Sequence, residues 1–236
     1  MPAKVNIERR TEPVELGAQS RRAKVRIFFG GSFDPVHIGH VGLPRYLVEH
    51  FEDGCVIYVP AGRSPFKSAN PTADHHRLAM LKVAVRDFEH GSIWEQELND
   101  ALLNQDQPSY WADTWAVVSQ LNMTGTDRFL IGADQALSMH RWRRYTEFWS
   151  DAIVVLRDDA DSVESLMDQM NKLEVWTAEE LAHWRTQIII VPTIDVSSTA
   201  IRSTLGDAQT RSQAIVGLDP LVHEYILEHG LYQPTN

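Results

Sequence analysis

The sequence predicts an α/β protein with a doubly wound parallel sheet. Short runs of β-branched and aromatic residues, typical of buried strands, alternate along the chain with stretches whose apolar residues recur at helical spacing. This alternation favours a Rossmann-like architecture, in which helices cover both faces of the sheet. The predicted strands are residues 25–29, 56–59, 93–94, 129–131, 153–156 and 187–191.

The length is that of one globular domain. With 236 residues, the chain suits a single α/β domain, which we expect to span residues 25–236. Residues 1–24 mix basic and acidic side chains without a sustained periodicity. We therefore expect them to form a disordered tail.

The net charge and the cysteine content limit the classes of function that the chain can have. A formal net charge of −10 argues against a nucleic-acid polymer as substrate, because proteins that bind such polymers usually present a basic face. No apolar run approaches the ~20 residues of a membrane span. The single cysteine, Cys55, lies in an apolar run and suits a buried strand in a reducing compartment. We expect a cytoplasmic enzyme or binding domain without membrane contact.

The segment 30–40 joins the first predicted strand to a predicted helix and reads Gly-Gly-Ser-Phe-Asp-Pro-Val-His-Ile-Gly-His. Adjacent glycines let backbone N–H groups approach a bulky anion, and a helix N-terminus adds partial positive charge. His37 and His40 are three residues apart, so both imidazoles lie on one face if the helix begins here. The pattern predicts a nucleotide-phosphate site beside two imidazoles.

Other interpretations of this segment are a tight turn with structural histidines, or a metal site. Zinc needs three or four protein ligands, and no third ligand is evident nearby. The segment lacks the dinucleotide and P-loop fingerprints, and it also lacks the last glycine of a nucleophile elbow.

Segment 30–40 resembles the Gly-Gly-[Ser/Thr]-Phe-Asp-Pro-x-His-x-Gly-His signature of the nucleotidyltransferase superfamily. More narrowly, the chain from about residue 25 to residue 232 resembles the nicotinate-nucleotide (nicotinamide-nucleotide) adenylyltransferases. The resemblance implies an enzyme of NAD biosynthesis that joins ATP and nicotinate or nicotinamide mononucleotide, giving the dinucleotide and pyrophosphate. It also implies a Mg²⁺ ion that bridges substrate phosphates. The alternative is a sibling transferase acting on another phosphorylated small molecule, such as phosphopantetheine.

Two further segments are expected at the polyphosphate. Lys67 lies in a loop at the carboxyl end of the second predicted strand, where open α/β sheets bind ligands; Phe66 replaces a histidine that is frequent in the family. Residues 196–202, Val-Ser-Ser-Thr-Ala-Ile-Arg, resemble the family's Ile-Ser-Ser-Thr-x-Ile-Arg motif, whose hydroxyls and arginine suit phosphate. The resemblance implies catalytic roles for His37, His40 and Lys67, and ATP contacts for Gly31, Ser32, Phe33, Ser198, Thr199, Ile201 and Arg202.

A third group of residues resembles the family's pyridine-nucleotide pocket. Residues 108–114, Pro-Ser-Tyr-Trp-Ala-Asp-Thr, carry Trp111 where many bacterial members have threonine and where eukaryotic-type relatives have Trp-x-x-Thr. A tryptophan stacked on a pyridinium ring contributes on the order of 1 kcal/mol. Alternatively, Trp111 and Trp115 are core aromatics on one helical stripe. The resemblance implies pyridine-nucleotide contacts for Trp111, Thr114, Gly132, Asp134 and Trp142, and leaves the choice between nicotinate and nicotinamide open.

Two further roles are expected in this region. Asp134 follows a predicted strand, and the resemblance implies that it accepts hydrogen bonds from a ribose; the alternative is that it caps the next helix. Arg141, Arg143 and Arg144 are expected to provide the local positive field that an acidic chain otherwise lacks.

The remaining predictions concern support of the site. Thr72 is expected to cap a helix, in which Arg77 either orients the site or forms a surface salt bridge. The acidic segment 158–185 is predicted to form one or two amphipathic helices with structural or oligomer-contact roles, so a homo-oligomer is compatible with the sequence. A terminal helix before Gly230 is expected to serve packing.

Overall fold

A parallel six-stranded sheet organises the computed structural model, which describes residues 12–63, 72–104, 107–158 and 162–234. Every neighbouring pair of strands is parallel. Within these ranges the strands are β1 (Val25–Gly31), β2 (Gly54–Pro60), β3 (Gly91–Ile93), β4 (Thr126–Gly132), β5 (Ala152–Arg157) and β6 (Ile188–Val191).

The strand order is β3-β2-β1-β4-β5-β6. The chain first builds the sheet outward from β1 through β2 to β3, and then crosses back to add β4 on the other side of β1. This confirms the predicted Rossmann-like, doubly wound fold. The order reverses between β1 and β4, and open α/β sheets bind ligands beyond the carboxyl ends of strands at such a switch point.

Helices connect the strands and flank the sheet. None of the helices in the described ranges is both long enough and apolar enough to cross a bilayer. Three short 3-10 turns also occur between residues 139 and 151. The α-helices described are α1 (Ala18–Arg22), α2 (Ile38–Val48), α3 (Asp74–Ala84), α4 (Gln96–Leu103), α5 (Trp111–Gln120), α6 (Ala133–Ser138), α7 (Val163–Lys172), α8 (Ala178–Thr186), α9 (Ser198–Leu205) and α10 (Pro220–Glu228).

Strand β2 is buried along its whole length, which explains its continuous apolar run. Successive side chains of the strand face opposite sides of the sheet. Ile57 therefore packs in one apolar cluster with Trp115 of α5, whereas Val56 packs in another with Met80 of α3. Cys55 is buried in this strand, as predicted. The two clusters confirm that helices cover both faces.

The acidic segment 158–185 contains two helices, α7 and α8, as predicted. They bury Met170 and Trp184 in the core, so these helices have a structural role. The terminal helix α10 buries Ile226 and is followed by Gly230 at a φ of +60°, which confirms a packing helix that ends at a glycine.

The start of α3 differs from the prediction. Ala73, not Thr72, is the N-cap, and no side chain caps this helix. The backbone of Thr72 is used instead: its N–H donates to the Asp34 carboxylate at 3.2 Å, and its carbonyl accepts a hydrogen bond from Arg77 at 3.1 Å. The predicted side-chain cap is therefore wrong.

The segment 12–24, which the sequence assigns to a disordered tail, packs against the domain. Gln96 Oε1 accepts a hydrogen bond from the Val14 N–H at 2.7 Å, and the Trp94 indole donates to the Val14 carbonyl at 2.6 Å. Leu16 is 5 % exposed. The segment's few apolar residues are scattered among charged ones without periodicity. The sequence therefore does not reveal that this segment packs on the surface of the domain. Residues 1–11 lie outside the described ranges.

We expect Leu16→Ala to lower the free energy of unfolding by about 2 kcal/mol, because it removes most of a buried side chain from the core. Denaturant unfolding followed by fluorescence measures this change. Glu15→Ala, at the exposed neighbouring position, is the matched control and should change stability by less than about 0.5 kcal/mol. Equal denaturant midpoints of unfolding for the two variants would contradict the packing of segment 12–24 against the domain.

Candidate active site

Gly30 and Gly31 end β1 at the switch point of the sheet. An added Cβ would lie 2.8 Å from the Trp111 ring at Gly30 and 2.9 Å from the Phe33 ring at Gly31. Phe33 has a φ of +49°, a left-handed conformation, and its side chain is 1 % exposed. The glycine pair is therefore required by the packing of two aromatic rings, a reason that the sequence does not reveal.

His37 and His40 lie side by side at the start of α2. His37 is the N-cap, and its backbone N–H donates to Nδ1 of His40 at 3.3 Å. The two rings stack with their centroids 3.8 Å apart. The predicted pairing of the imidazoles is confirmed, with His37 capping the helix rather than lying within it.

Burial lowers the pKa of His37 to about 4, because the cationic ring would lose its hydration. At neutral pH the ring is therefore uncharged, with one nitrogen as donor and the other as acceptor. None of the described residues forms a hydrogen bond with its buried Nδ1 atom. A buried polar atom of this kind calls for a partner, which a ligand can provide.

The second motif docks directly on the first, although the two are far apart in the chain. The Ser198 hydroxyl at the start of α9 donates to the Pro35 carbonyl at 2.9 Å. Arg202 donates to the Asp34 carbonyl at 2.5 Å and to the Thr199 hydroxyl at 3.1 Å. The structure thus brings together the histidines, Ser198, Thr199 and Arg202 at the exit of β1.

Ile201 differs from its predicted role. Its side chain is 2 % exposed, in the same apolar cluster as Phe33, and its N–H bonds to the Ser197 carbonyl at 3.0 Å. Its side chain and its N–H are thus both used within the protein, and Ile201 packs beneath the motif in the core.

Asp34, to which the sequence analysis assigns no role, links the motif to the end of the chain. Its carboxylate accepts hydrogen bonds from the Tyr232 hydroxyl and from the Thr72 N–H. Burial and the adjacent Asp34 raise the pKa of Tyr232, so the phenol remains a donor. One feature of the sequence could have indicated this role: Asp34 lies inside a motif expected to bind phosphate. A free carboxylate there would repel the substrate, so a hydrogen-bonded one is expected.

Arg77 ties the motif to two neighbouring segments. Its side chain is 1 % exposed and donates to the carbonyls of Ser32 (2.7 Å), Ala61 (2.6 Å) and Thr72 (3.1 Å). It also pairs with Asp74 at 2.6 Å. Of the two roles that the sequence left open, orientation of the site is the one that the structure supports.

Trp111 begins α5 and lies at the exit of β1, against Gly30. Its ring is half-buried and stacks on Trp115 with centroids 6.2 Å apart. Trp115 is 6 % exposed and donates through its indole to Asp151. Trp115 is thus a core residue, whereas Trp111 lies between the core and the switch point.

Thr114 is placed differently from the expected pocket contact. It is 3 % exposed, and its hydroxyl donates to Glu97 Oε1 at 2.8 Å. Nothing in the sequence distinguishes Glu97, because a glutamate in a polar, acidic stretch resembles an ordinary surface residue.

The exit of β4 carries two of the predicted pyridine-nucleotide residues. Gly132 is the N-cap of α6, and its N–H bonds to Gln135 at 3.1 Å. Asp134 therefore does not cap this helix; it lies exposed in the first turn. Trp142 is half-buried and packs on the core after α6.

The predicted basic residues of this region are partly neutralised. Arg144 and Arg143 pair with Asp113 at 2.9 and 3.5 Å, while Arg141 is exposed. Lys67 belongs to residues 64–71, which lie outside the described ranges.

The fold, the glycines at the switch point and the imidazole pair define a nucleotide-binding α/β protein. Residues 28–204 match the family model described as cytidylyltransferase-like, and the chain belongs to that family. A probable nicotinate-nucleotide adenylyltransferase of Carboxydothermus hydrogenoformans is 31 % identical over 89 % of this chain and 98 % of the relative. Another, of Neisseria meningitidis, is 28 % identical over 87 % and 96 %. Within the family, the chain belongs to the nicotinate-nucleotide adenylyltransferases.

Solved structures share the fold. The nicotinic acid mononucleotide adenylyltransferase of Plasmodium falciparum complexed with APC gives a TM-score of 0.64 at 18 % identity, covering 89 % of this chain and 97 % of that one. The same enzyme complexed with NaAD gives 0.62 at 19 % identity, with the same coverage.

Proposed function

We propose that this protein joins the adenylyl group of ATP to nicotinate mononucleotide and releases pyrophosphate, as a step of NAD biosynthesis. The observation that carries the proposal is the docking of the α9 motif on the His37–His40 motif at the exit of β1. Nicotinate is preferred to nicotinamide in this proposal because the relatives are named for nicotinate. We place the reaction in the cytoplasm; assembly into a homo-oligomer stays a prediction.

The chemistry is an in-line displacement at the α-phosphorus of ATP. A phosphate oxygen of the mononucleotide forms the new P–O bond, while the bond from the α-phosphorus to the oxygen that bridges to the β-phosphate breaks. Pyrophosphate leaves with the electron pair. Such a reaction depends on positioning and on stabilising the developing charge, and it needs no covalent intermediate.

The polyphosphate is proposed to lie between α2 and α9. The imidazoles of His37 and His40 face the phosphates, and the backbone of residues 31–33 holds the nucleotide. Arg202 is held in place by the Asp34 carbonyl and the Thr199 hydroxyl, so its guanidinium is oriented before ATP binds. The β- and γ-phosphate contacts are assigned to Ser198, Thr199 and Arg202, with Lys67 as a further cation.

The pyridine mononucleotide is proposed to lie over the exits of β1 and β4. Trp111 and Trp142 form its aromatic walls, and the exposed Asp134 accepts hydrogen bonds from ribose hydroxyls. Gly132 allows close approach at the end of β4. Thr114 contributes through the position of α5, because its hydroxyl is engaged by Glu97.

Mg²⁺ is proposed to arrive as part of the ATP substrate. Among the described residues, no group of three or more His, Cys, Asp or Glu side chains is arranged to hold a metal ion. The Asp34 carboxylate accepts from Tyr232 and Thr72. Phosphate oxygens and water are the ligands that Mg²⁺ then retains.

A coupled assay of pyrophosphate release tests the proposal. The purified protein is given MgATP with nicotinate mononucleotide, nicotinamide mononucleotide or phosphopantetheine in parallel reactions. We expect the highest kcat/KM with nicotinate mononucleotide. Turnover with phosphopantetheine but with neither mononucleotide would identify a sibling transferase and contradict the proposal.

A further inference from the structure

Glu97 is a buried carboxyl that belongs to neither motif. It lies in the first turn of α4 and is 6 % exposed. Its Oε1 accepts the Thr114 hydroxyl at 2.8 Å, and the backbone of Gly62 lies beside the carboxylate and favours its charged form. One side chain therefore joins the loop that leaves β2 to the first turns of α5.

Close packing surrounds this connection. A Cβ on Gly62 would lie 2.4 Å from the Glu97 carbonyl oxygen and 2.8 Å from the Ser109 hydroxyl, so the loop reaches α4 only because residue 62 is glycine. Two further hydrogen bonds hold the same segments together: the Arg63 N–H donates to the Ser109 hydroxyl at 3.2 Å, and the Ser109 N–H donates to the Arg63 carbonyl at 2.8 Å.

The joined segments carry a ring that the proposed function assigns to the pyridine mononucleotide. Trp111, one turn before Thr114 on α5, lies against Gly30 at the exit of β1. Any rotation or shift of α5 would therefore move the Trp111 ring relative to the switch point. A buried carboxyl is costly unless it is fully hydrogen-bonded, and an apolar residue would fill the same space at lower cost.

We propose that Glu97 is a positioning residue for the pyridine mononucleotide: it locks α5, and with it Trp111, against the loop that leaves β2. The inference rests on the proposed function.

A positioning role of Glu97 predicts that binding of the mononucleotide depends on the charge of this carboxyl, and therefore on pH. A purely structural role does not predict this dependence. Burial raises its pKa to about 7; Asp100 adds to the rise, whereas the hydrogen bonds from Thr114 and Gly62 and the charge of Arg77 oppose it. Asp113 and Arg143 line the same cavity of about 310 Å³. Above neutral pH the carboxylate accepts the Thr114 hydroxyl and is favoured by the Gly62 backbone, and on protonation it loses accepting capacity. The pyridine site should therefore loosen as the pH falls through 7.

The test compares Glu97→Gln with Asp100→Asn, a matched carboxyl-to-amide control on the same helix and cavity. We expect Glu97→Gln to raise the KM for nicotinate mononucleotide about tenfold, the effect of one lost hydrogen bond to a charged group, while the KM for ATP changes less than about twofold. The wild type should show a rise in that KM as the pH falls from 8 to 6, and Glu97→Gln should lack it. Asp100→Asn should keep the wild-type KM at pH 8, and the rise in KM should begin at a lower pH, because Asp100 contributes to the raised pKa of Glu97.

Titration of tryptophan fluorescence with nicotinate mononucleotide gives the dissociation constant without turnover, and Glu97→Asp is measured in the same way if Glu97→Gln does not fold. Equal changes in both KM values, or a lower Tm with unchanged KM values, would overturn the positioning role. Wild-type turnover tests the proposed function separately, because it does not involve the variants.

Discussion

His40→Ala is expected to lower kcat by about 100-fold or more, the usual effect of removing one donor that stabilises transition-state charge. The His40 ring stacks on His37 at the exit of β1, beside the α9 motif. In the proposed mechanism, its loss removes an imidazole from beside the leaving pyrophosphate, on which charge develops. The measurement is steady-state pyrophosphate release at saturating ATP and nicotinate mononucleotide.

Two further variants separate catalysis from folding. His40 Nδ1 accepts the His37 N–H, so His40→Gln retains an acceptor for that bond and should lose kcat without losing the helix cap. His50→Ala, at an exposed position two residues after α2, should leave kcat unchanged. A folded His40→Ala protein with wild-type kcat would remove His40 from the catalytic residues.

Arg77→Met is expected to lower the free energy of unfolding by about 3 kcal/mol or more, because it leaves several buried acceptors without their donor. The carbonyls of Ser32, Ala61 and Thr72 all bond to this side chain. Denaturant unfolding measures the loss. We also expect a higher KM for ATP, since Ser32 belongs to the phosphate motif.

The matched control for this change is Arg86→Met. Arg86 lies two residues after α3, and its side chain is 39 % exposed in its ion pair with Asp219. Exposed ion pairs contribute at most about 1 kcal/mol, so the control should lose little stability. Similar losses in the two variants would show that Arg77 is not a clamp.

Much of the fold was predictable because its signals are local. The strand β2 is buried on both faces, and a parallel strand of that kind must be apolar along its whole length. The imidazole pair was predictable for the same reason, since side chains three residues apart at a helix start lie on one face. The second motif could be placed near the first only by resemblance, because 163 residues separate Ser198 from Pro35.

Other parts were not predictable, because their partners come from distant segments. Thr114 resembles a pocket residue in sequence, yet its hydroxyl bonds to a carboxyl of α4. Ile201 belongs to the same motif as Ser198 and Thr199, yet the helical turn places its side chain in the core. Leu16 lies in a segment without periodicity, and it is ordered only by the surface that the folded domain offers.

Local patterns determined the succession of strands and helices along the chain and the position of the glycine and histidine motif at the end of β1, because burial and helix geometry act on neighbouring residues. The interior partners of Asp34, Arg77 and Glu97 were decided only by the tertiary structure. The reason is physical: a charged side chain reads as a surface residue in any sequence, and only the folded chain brings together the donors and acceptors that allow it to be buried.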